Sequence, residues 1–129
     1  MAATILTRSI SLAILVIIAN AMMRAEAANY PVSGTWTYDN PSGEGPAKTC
    51  GSRTMEFRGE QRFDRGGGVP GYRNLSVSRA GPDSFSIVDQ FATGQITARS
   101  TYTLRKIDGD HIELHMQAGG KTIRLRRCE

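Results

Sequence analysis

The chain has 129 residues, with 16 Lys and Arg against 12 Asp and Glu, and its formal net charge at pH 7 is +4. The basic excess is small, and the arginines form neither a stripe nor a nucleic-acid-binding motif, so no nucleic-acid partner is expected. The two cysteines are not arranged as C-x-x-C, which removes support for thiol oxidoreductase chemistry.

The N-terminal 27 residues have the composition of a secretory signal peptide. A short start with one positive side chain precedes an almost wholly apolar stretch over residues 10–23, and a small-x-small triplet ends at Ala27. That apolar stretch is about fourteen residues long, whereas a membrane-spanning helix needs about 20. We therefore predict cleavage after Ala27, leaving residues 28–129 as one domain without a membrane span. The short leader and the preference for Arg over Lys indicate a periplasmic or secreted bacterial protein.

Both cysteines belong to the predicted mature chain. An even number of cysteines in an oxidising compartment predicts a bridge between Cys50 and Cys128, the alternative being two free structural thiols. The bridge would close a loop of 78 residues. The chain-entropy model assigns about 4.5 kcal/mol of stabilisation to such a loop.

Alternation of apolar and polar residues dominates the mature chain, and helical periodicity is nearly absent. Gly/Pro-rich segments at 40–47 and 65–71 interrupt the alternation and are predicted to be loops. One segment, residues 72–79, places Leu75 and Val77 on the same face. Strands are predicted near residues 34, 54, 73, 86, 98, 112 and 123.

The clearest alternation covers residues 95–107. Ile96, Tyr102 and Leu104 fall on one face, and polar side chains fall on the other, as in a half-buried strand.

Two further strands follow it. Asp108-Gly109 predicts a two-residue hairpin, because Gly accepts the positive φ that such turns require. Residues 110–117 and 121–127 then alternate in the same manner, so the last third is predicted to be a three-stranded meander. For the whole domain we predict an all-β fold: an antiparallel up-and-down meander of about seven strands, closed into a barrel, with one disulfide.

The triplet Gly34-Thr35-Trp36 resembles the G-x-W element that begins the first strand of lipocalins and related calycin barrels. The resemblance implies that Trp36 packs at the closed end of a barrel beneath a basic side chain from a late strand, namely Arg124, Arg126 or Arg127. The chain is also similar to small periplasmic bacterial barrels, some of which inhibit proteases or lysozyme.

No arrangement of residues indicates catalysis or a metal site. His111 and His115 share one face of a predicted strand with Glu113, but residues i and i+4 of a strand are about 13 Å apart. Two histidines at that distance cannot bind the same zinc ion. G-x-S-x-G is absent and no triad is indicated, so we expect a protein that is not an enzyme and that has no cofactor.

Asp89 is in phase with the apolar side chains of Phe85, Ile87 and Phe91, which places a carboxylate on the inner face. Burial without a partner would be unfavourable, so it should pair with an arginine or with a hydroxyl such as that of Tyr102. An inward polar group can also mark a ligand cavity.

Several arginines crowd residues 53–79, where they could present a face to an acidic ligand or partner. The alternative is a solvated surface on which they pair with nearby Glu and Asp residues. The candidate contacts for a ligand or partner are Trp36, Asp89, Arg58, Arg62 and Arg65.

Three functions follow from these patterns. The first is an exported monomeric binding module that carries a small molecule inside the barrel. The second is an interaction module or enzyme inhibitor that presents the loops at 40–47 and 65–71 to another exported protein. The third is a structural envelope protein. The interior discriminates between the first two, because no cargo fits if it is filled by Trp36, Phe57, Phe85, Tyr102, Leu114 and Leu125.

Overall fold

The computed structural model describes residues 28–39 and 49–128. The predicted signal peptide, residues 1–27, and the predicted loop at 40–47 lie outside these residues. Within the described part of the chain, no helix is both long and apolar enough to cross a lipid bilayer.

The described residues form an antiparallel barrel in which each strand pairs with the next along the chain, and the last pairs with the first. This confirms the predicted all-β meander and its closure. The strands are β1 (Gly34–Tyr38), β2 (Thr54–Arg58), β3 (Gln61–Arg65), β4 (Gly71–Arg79), β5 (Ser84–Thr93), β6 (Ile96–Lys106), β7 (His111–Met116) and β8 (Thr122–Arg127).

The described residues contain eight strands in place of about seven, because β3 does not show the alternation of apolar and polar residues. Its inward positions hold Arg62 and Asp64, which are buried, while its only large apolar residue, Phe63, lies between them on the other face. A search for apolar residues at alternate positions therefore passes over this strand. Of the six arginines of residues 53–79, Arg53 lies just before β2 and the other five lie on β2, β3 and β4.

Large side chains fill the barrel interior. Every side chain of the predicted filling set except Phe85 is at most 1% exposed, and Phe85 packs against the cluster from its margin. The other fully buried large side chains are Met55, Ile87, Leu104 and Ile112.

A β-bulge interrupts the regular alternation of β4 at Leu75. The pairing of β4 with β5 shifts register between Asn74 and Ser76, which makes Leu75 the extra residue of a β-bulge. As a result Asn74 is fully buried and Val77 packs against the core, although they are three positions apart.

The connection between β6 and β7 is also longer than predicted. It spans residues 107–110, and Gly109 is not among the glycines with positive φ. The turn is held by Asp108, whose Oδ1 accepts a hydrogen bond from the amide of Asp110 at 2.8 Å. An aspartate side chain thus supplies the turn that the sequence assigned to glycine.

The predicted disulfide is confirmed. Cys50 and Cys128 are bonded, with their Cα atoms 5.1 Å apart. The amide of Cys128 donates to the carbonyl of Thr35, and the amide of Gly51 donates to Oγ1 of Thr37, so both flanking segments attach to β1. The bridge therefore fastens the strand pair at which the barrel closes.

Candidate functional site

A buried ion pair lies inside the barrel. Nε of Arg62 donates to Oδ2 of Asp89 at 3.0 Å, and the two side chains are 4% and 0% exposed. The guanidinium also lies 3.7 Å from the ring centroid of Tyr72, within cation–π distance. The strand alternation thus brings two of the predicted contact residues together.

Three neutral side chains complete the shell around this carboxylate. Its oxygens accept hydrogen bonds from the hydroxyls of Tyr30 at 2.9 Å and Tyr102 at 2.8 Å, and from the amide of Asn74 at 3.2 Å. The predicted pairing of Asp89 with an arginine and with Tyr102 is therefore confirmed. A carboxylate with four donors can be buried without a ligand.

Sequence reasoning missed two of these donors for different reasons. Tyr30 precedes β1 and lies outside any alternating segment, and it meets Asp89 59 positions further along the chain. Asn74 faces inward only because of the bulge that follows it. Neither position carries a local pattern that could have revealed its role.

The two phenols are held in their neutral form. Burial raises the pKa of Tyr30 far above its usual value, and the neighbouring negative charge of Asp89 raises it further. Burial likewise raises the pKa of Tyr102, partly opposed by the positive charge of Arg62. Both hydroxyls therefore act as hydrogen-bond donors to the carboxylate.

At the end of the barrel where β1 begins, residues 30–33 lie beside Trp36 and border an open groove of about 330 Å³. We call this the strap end. Trp36 is 1% exposed, and its indole Nε1 donates to the carbonyl of Ser33 at 3.1 Å. The guanidinium of Arg127 lies 4.4 Å from the ring centroid of Trp36 and donates to the same carbonyl. A late-strand arginine over the tryptophan is the arrangement that the G-x-W resemblance implied.

The remaining predicted contact residues lie apart from this interior. Arg58 is exposed at the end of β2, where its guanidinium pairs with Glu56 at 2.6 Å. Arg65 is exposed at the end of β3. The five candidates therefore occupy three places: the interior, the strap end and the outer surface.

The opposite end of the barrel carries the connection between β5 and β6, and we call it the ribbon end. Three polar residues cluster there: Tyr38 of β1, Arg53 just before β2, and Asp64 of β3. Nη2 of Arg53 lies 3.7 Å from Oδ2 of Asp64, and its guanidinium lies 4.3 Å from the ring centroid of Tyr38. A Cβ at Gly67 would meet Asp64 Oδ2 at 2.8 Å, so the glycine loop packs on this carboxylate. Burial raises the pKa of Tyr38, and the charge of Asp64 adds to the effect.

The β5–β6 hairpin extends beyond both of its neighbours. Pairing between β4 and β5 ends at Arg73 and Gln90, and pairing between β6 and β7 begins at Tyr102 and Met116. Residues 91–98 therefore form a two-stranded ribbon that pairs only with itself. At its tip Ile96 is 69% exposed, so the inward position predicted from the alternation is wrong there, because the ribbon has left the barrel wall.

Shallow grooves flank the ribbon on both sides. One, of about 330 Å³, lies on the β4 side and is lined mainly by residues of β3, β4 and β5. The other, of about 460 Å³, is lined by residues 99–101 of β6, residues 116–118 at and after the end of β7, Tyr72 and Phe91. The last two also line the first groove, and their ring centroids are 5.2 Å apart. The ribbon thus stands between two open grooves that share an aromatic pair.

The histidines and acidic residues of the described structure do not meet the requirements of a metal site. Among residues 28–39 and 49–128, no group of three or more His, Cys, Asp or Glu side chains could hold a metal ion. His111 and His115 lie on the outer side of β7, where they contact Asp108 and Thr122. Glu113, between them, pairs with Arg105 and Arg124 at 2.7 and 3.2 Å.

Comparisons with protein-family models, with curated proteins and with solved structures gave no significant match.

Proposed function

We propose that this protein is an exported interaction module that binds another protein with its outer surface at the ribbon end. The observation that carries the proposal is the contrast between a filled interior and a protruding ribbon. The large buried side chains of the core, Trp36 and Leu125 among them, occupy the space that a carrier would keep for cargo. The ribbon, in contrast, exposes residues 92–97 to solvent.

The polar interior supports the same choice. A carrier that binds an acidic or polar molecule needs an inward polar group with hydrogen-bonding capacity to spare. Asp89 instead accepts from Arg62, Asn74 and two tyrosines, so its oxygens are already engaged. A rigid core of this kind suits a scaffold that presents a surface element with little loss of entropy on binding.

Export is supported by the disulfide, because such bonds form and persist in oxidising compartments. The eight-stranded closed barrel is compatible with a calycin-like fold, and the contact of Arg127 with Trp36 adds to that resemblance. Among the small periplasmic barrels that the chain resembles, the protease and lysozyme inhibitors are proteins that bind other proteins. We therefore place the protein in the periplasm or outside the cell as a partner-binding domain.

Native mass spectrometry of the protein isolated from its own compartment without reductant tests this function. We expect a chain that lacks residues 1–27, is lighter by the two hydrogens of one disulfide, and is found partly in a complex with a second protein. A stoichiometric small molecule that leaves on denaturation would overturn the proposal in favour of a carrier. A bare chain under every condition of isolation would favour the structural envelope role.

A further inference from the structure

We propose that the free edge of β6, residues 96–100, is a docking site at which an extended segment of a partner protein adds as a ninth strand, with an acidic side chain opposite Arg99. This inference rests on the proposed function and names the site and the partner's chemistry. Strand addition needs an exposed edge, and a closed barrel has none. The ribbon provides an exposed edge, because pairing of β6 with β7 begins only at Tyr102.

The backbone of the free edge offers hydrogen-bonding groups in the correct direction. The amide of Gln117 donates to the carbonyl of Thr101 at 3.1 Å, so the peptide groups of Thr101 point away from β5. Peptide groups of alternate residues point to the same side of a strand. Thr97 and Arg99 therefore direct their N–H and C=O groups outward, where the described structure contains no partner strand.

The composition of this edge gives it little protection against pairing with a strand that carries an acidic side chain. Exposed edges are commonly blunted by proline, by charged side chains, especially lysine, or by very short length. Residues 95–101 contain neither proline nor lysine, their single charged residue is Arg99, and Ile96, Thr97 and Thr101 are β-branched. Such a sequence is well suited to remain extended and to accept a neighbouring strand.

The groove of about 460 Å³ beside this edge defines the space for the incoming strand. Met116 and Ala118 line its far side, and Phe91 and Tyr72 also line it, so that apolar surface is available to the side chains of one face. An added strand would pack the side chains of one face against this surface.

The charge of Arg99 selects an acidic partner. Its side chain is exposed, and it has no ion-pair partner among the described residues, whereas Arg58, Arg105 and Arg124 each contact a glutamate. Opposite charges facing each other across a strand pair are stabilising, and like charges are destabilising. A second copy of this chain would bring no acid to the pairing, because residues 95–101 contain none. A different protein with an Asp or Glu in an extended segment fits better.

Two synthetic peptides test the edge directly. Both alternate threonine and valine, one with a central glutamate and the other with a central lysine, and each is titrated into the isotopically labelled mature chain. We expect the amide resonances of Thr97 and Arg99 to shift and the glutamate peptide to bind about threefold more tightly. In the Arg99→Glu variant the preference should reverse. Any of three outcomes would overturn the proposal. The amide resonances could shift only at residues 65–71, the peptide preference could stay unchanged in the variant, or neither peptide could bind.

A crosslinking pair separates this proposal from the function on which it rests. A photoreactive residue at Thr97 should capture the partner in the native compartment, whereas one at Thr103, which pairs with both β5 and β7, should not. A protein complex that survives both Arg99→Glu and Thr97→Pro would overturn the edge proposal and leave the interaction function intact. Peptide binding at the edge without any protein complex would overturn the interaction function alone. Strand pairing between two copies would appear as a dimer and would also overturn the acidic-partner proposal.

Discussion

The barrel interior around Asp89 and the ribbon at residues 91–98 belong to the same two strands, β5 and β6. Polar groups are buried and hydrogen-bonded in the interior, whereas they face solvent in the ribbon. In the interior, the carboxylate of Asp89 is fully buried and accepts four hydrogen bonds. A few residues along the same hairpin, the peptide groups of Thr97 and Arg99 face solvent without a strand to receive them.

Under the proposed function, the difference in strand length alone separates the scaffold from the binding element. β5 and β6 share ten paired positions, whereas β4 stops pairing at Gln90 and β7 begins at Tyr102. The excess length forms the ribbon. Stability should therefore depend on the shared part of the hairpin, and recognition should depend on the excess part.

The largest expected effect comes from Asp89→Ala. Removing the carboxylate leaves the charge of Arg62 buried without its counter-ion, and such changes destabilise proteins by about 3–5 kcal/mol. Denaturant unfolding followed by the fluorescence of Trp36, the single tryptophan, measures the free energy of unfolding. Equal stability of the variant and the wild type would contradict the role assigned to the ion pair.

Two variants serve as controls for this experiment. Asp83→Ala removes an exposed carboxylate in the turn before β5 and should change the free energy by at most about 0.5 kcal/mol. Arg62→Met combined with Asp89→Leu removes both charges and should recover part of the loss. The recovery would show that the loss in Asp89→Ala comes from the uncompensated guanidinium.

Removing the disulfide should have the next largest effect. Cys50→Ser with Cys128→Ser releases the loop that closes the barrel, and native disulfides stabilise proteins by about 2–4 kcal/mol. Because the bridge acts at the β1–β8 closure, far along the chain from the ribbon, peptide binding at β6 should persist wherever the variant is folded. Loss of peptide binding by the folded variant would show that the ribbon is not independent of the closure.

Alkaline pH provides a third way to probe the interior. Tyr30 and Tyr102 have folded-state pKa values above the unfolded value of 10.0, mainly because they are buried. Their contribution to stability is therefore complete below pH 10 and is lost as the pH rises above it, since only the unfolded chain then releases these protons. Phenolate absorbance of these two residues should rise together with the loss of far-ultraviolet circular dichroism.

A matched variant separates the two phenols. Tyr30→Phe should lower the stability at neutral pH by about 1–3 kcal/mol, because the buried carboxylate loses a donor. It should also make the decline above pH 10 shallower. Ionisation of all four tyrosines at their usual pH in the folded protein would contradict the buried network.

The sequence was informative wherever apolar and polar residues alternate regularly. It predicted the meander, the barrel closure, the disulfide and the inward position of Asp89, because period-two alternation directly reports which face is buried. It failed at β3, whose inward residues are the charged Arg62 and Asp64. Hydrophobic alternation cannot find a strand that contributes a buried ion pair.

The candidate site was less accessible to sequence reasoning. Whether a strand has neighbours on both sides depends on where the flanking strands end, and the alternation in residues 95–107 is the same inside and outside the barrel wall. Ile96 shows this limit, because its pattern predicts burial and its position at the ribbon tip exposes it. Only the pairing register reveals the edge.

The smallest expected effect on stability lies at the ribbon tip. Ile96→Ser removes an exposed side chain, and such surface changes are usually within about 0.5 kcal/mol of the wild-type free energy of unfolding.

Hydrogen exchange gives a sharper test of the same region. The amides of Ala98 and Ser100 face β5 and should be protected, whereas those of Thr97 and Arg99 should exchange quickly. Uniform protection along residues 96–100 in the isolated chain would mean that the edge is already covered. Alternating protection that becomes uniform when the glutamate peptide is added would place the incoming strand at this edge.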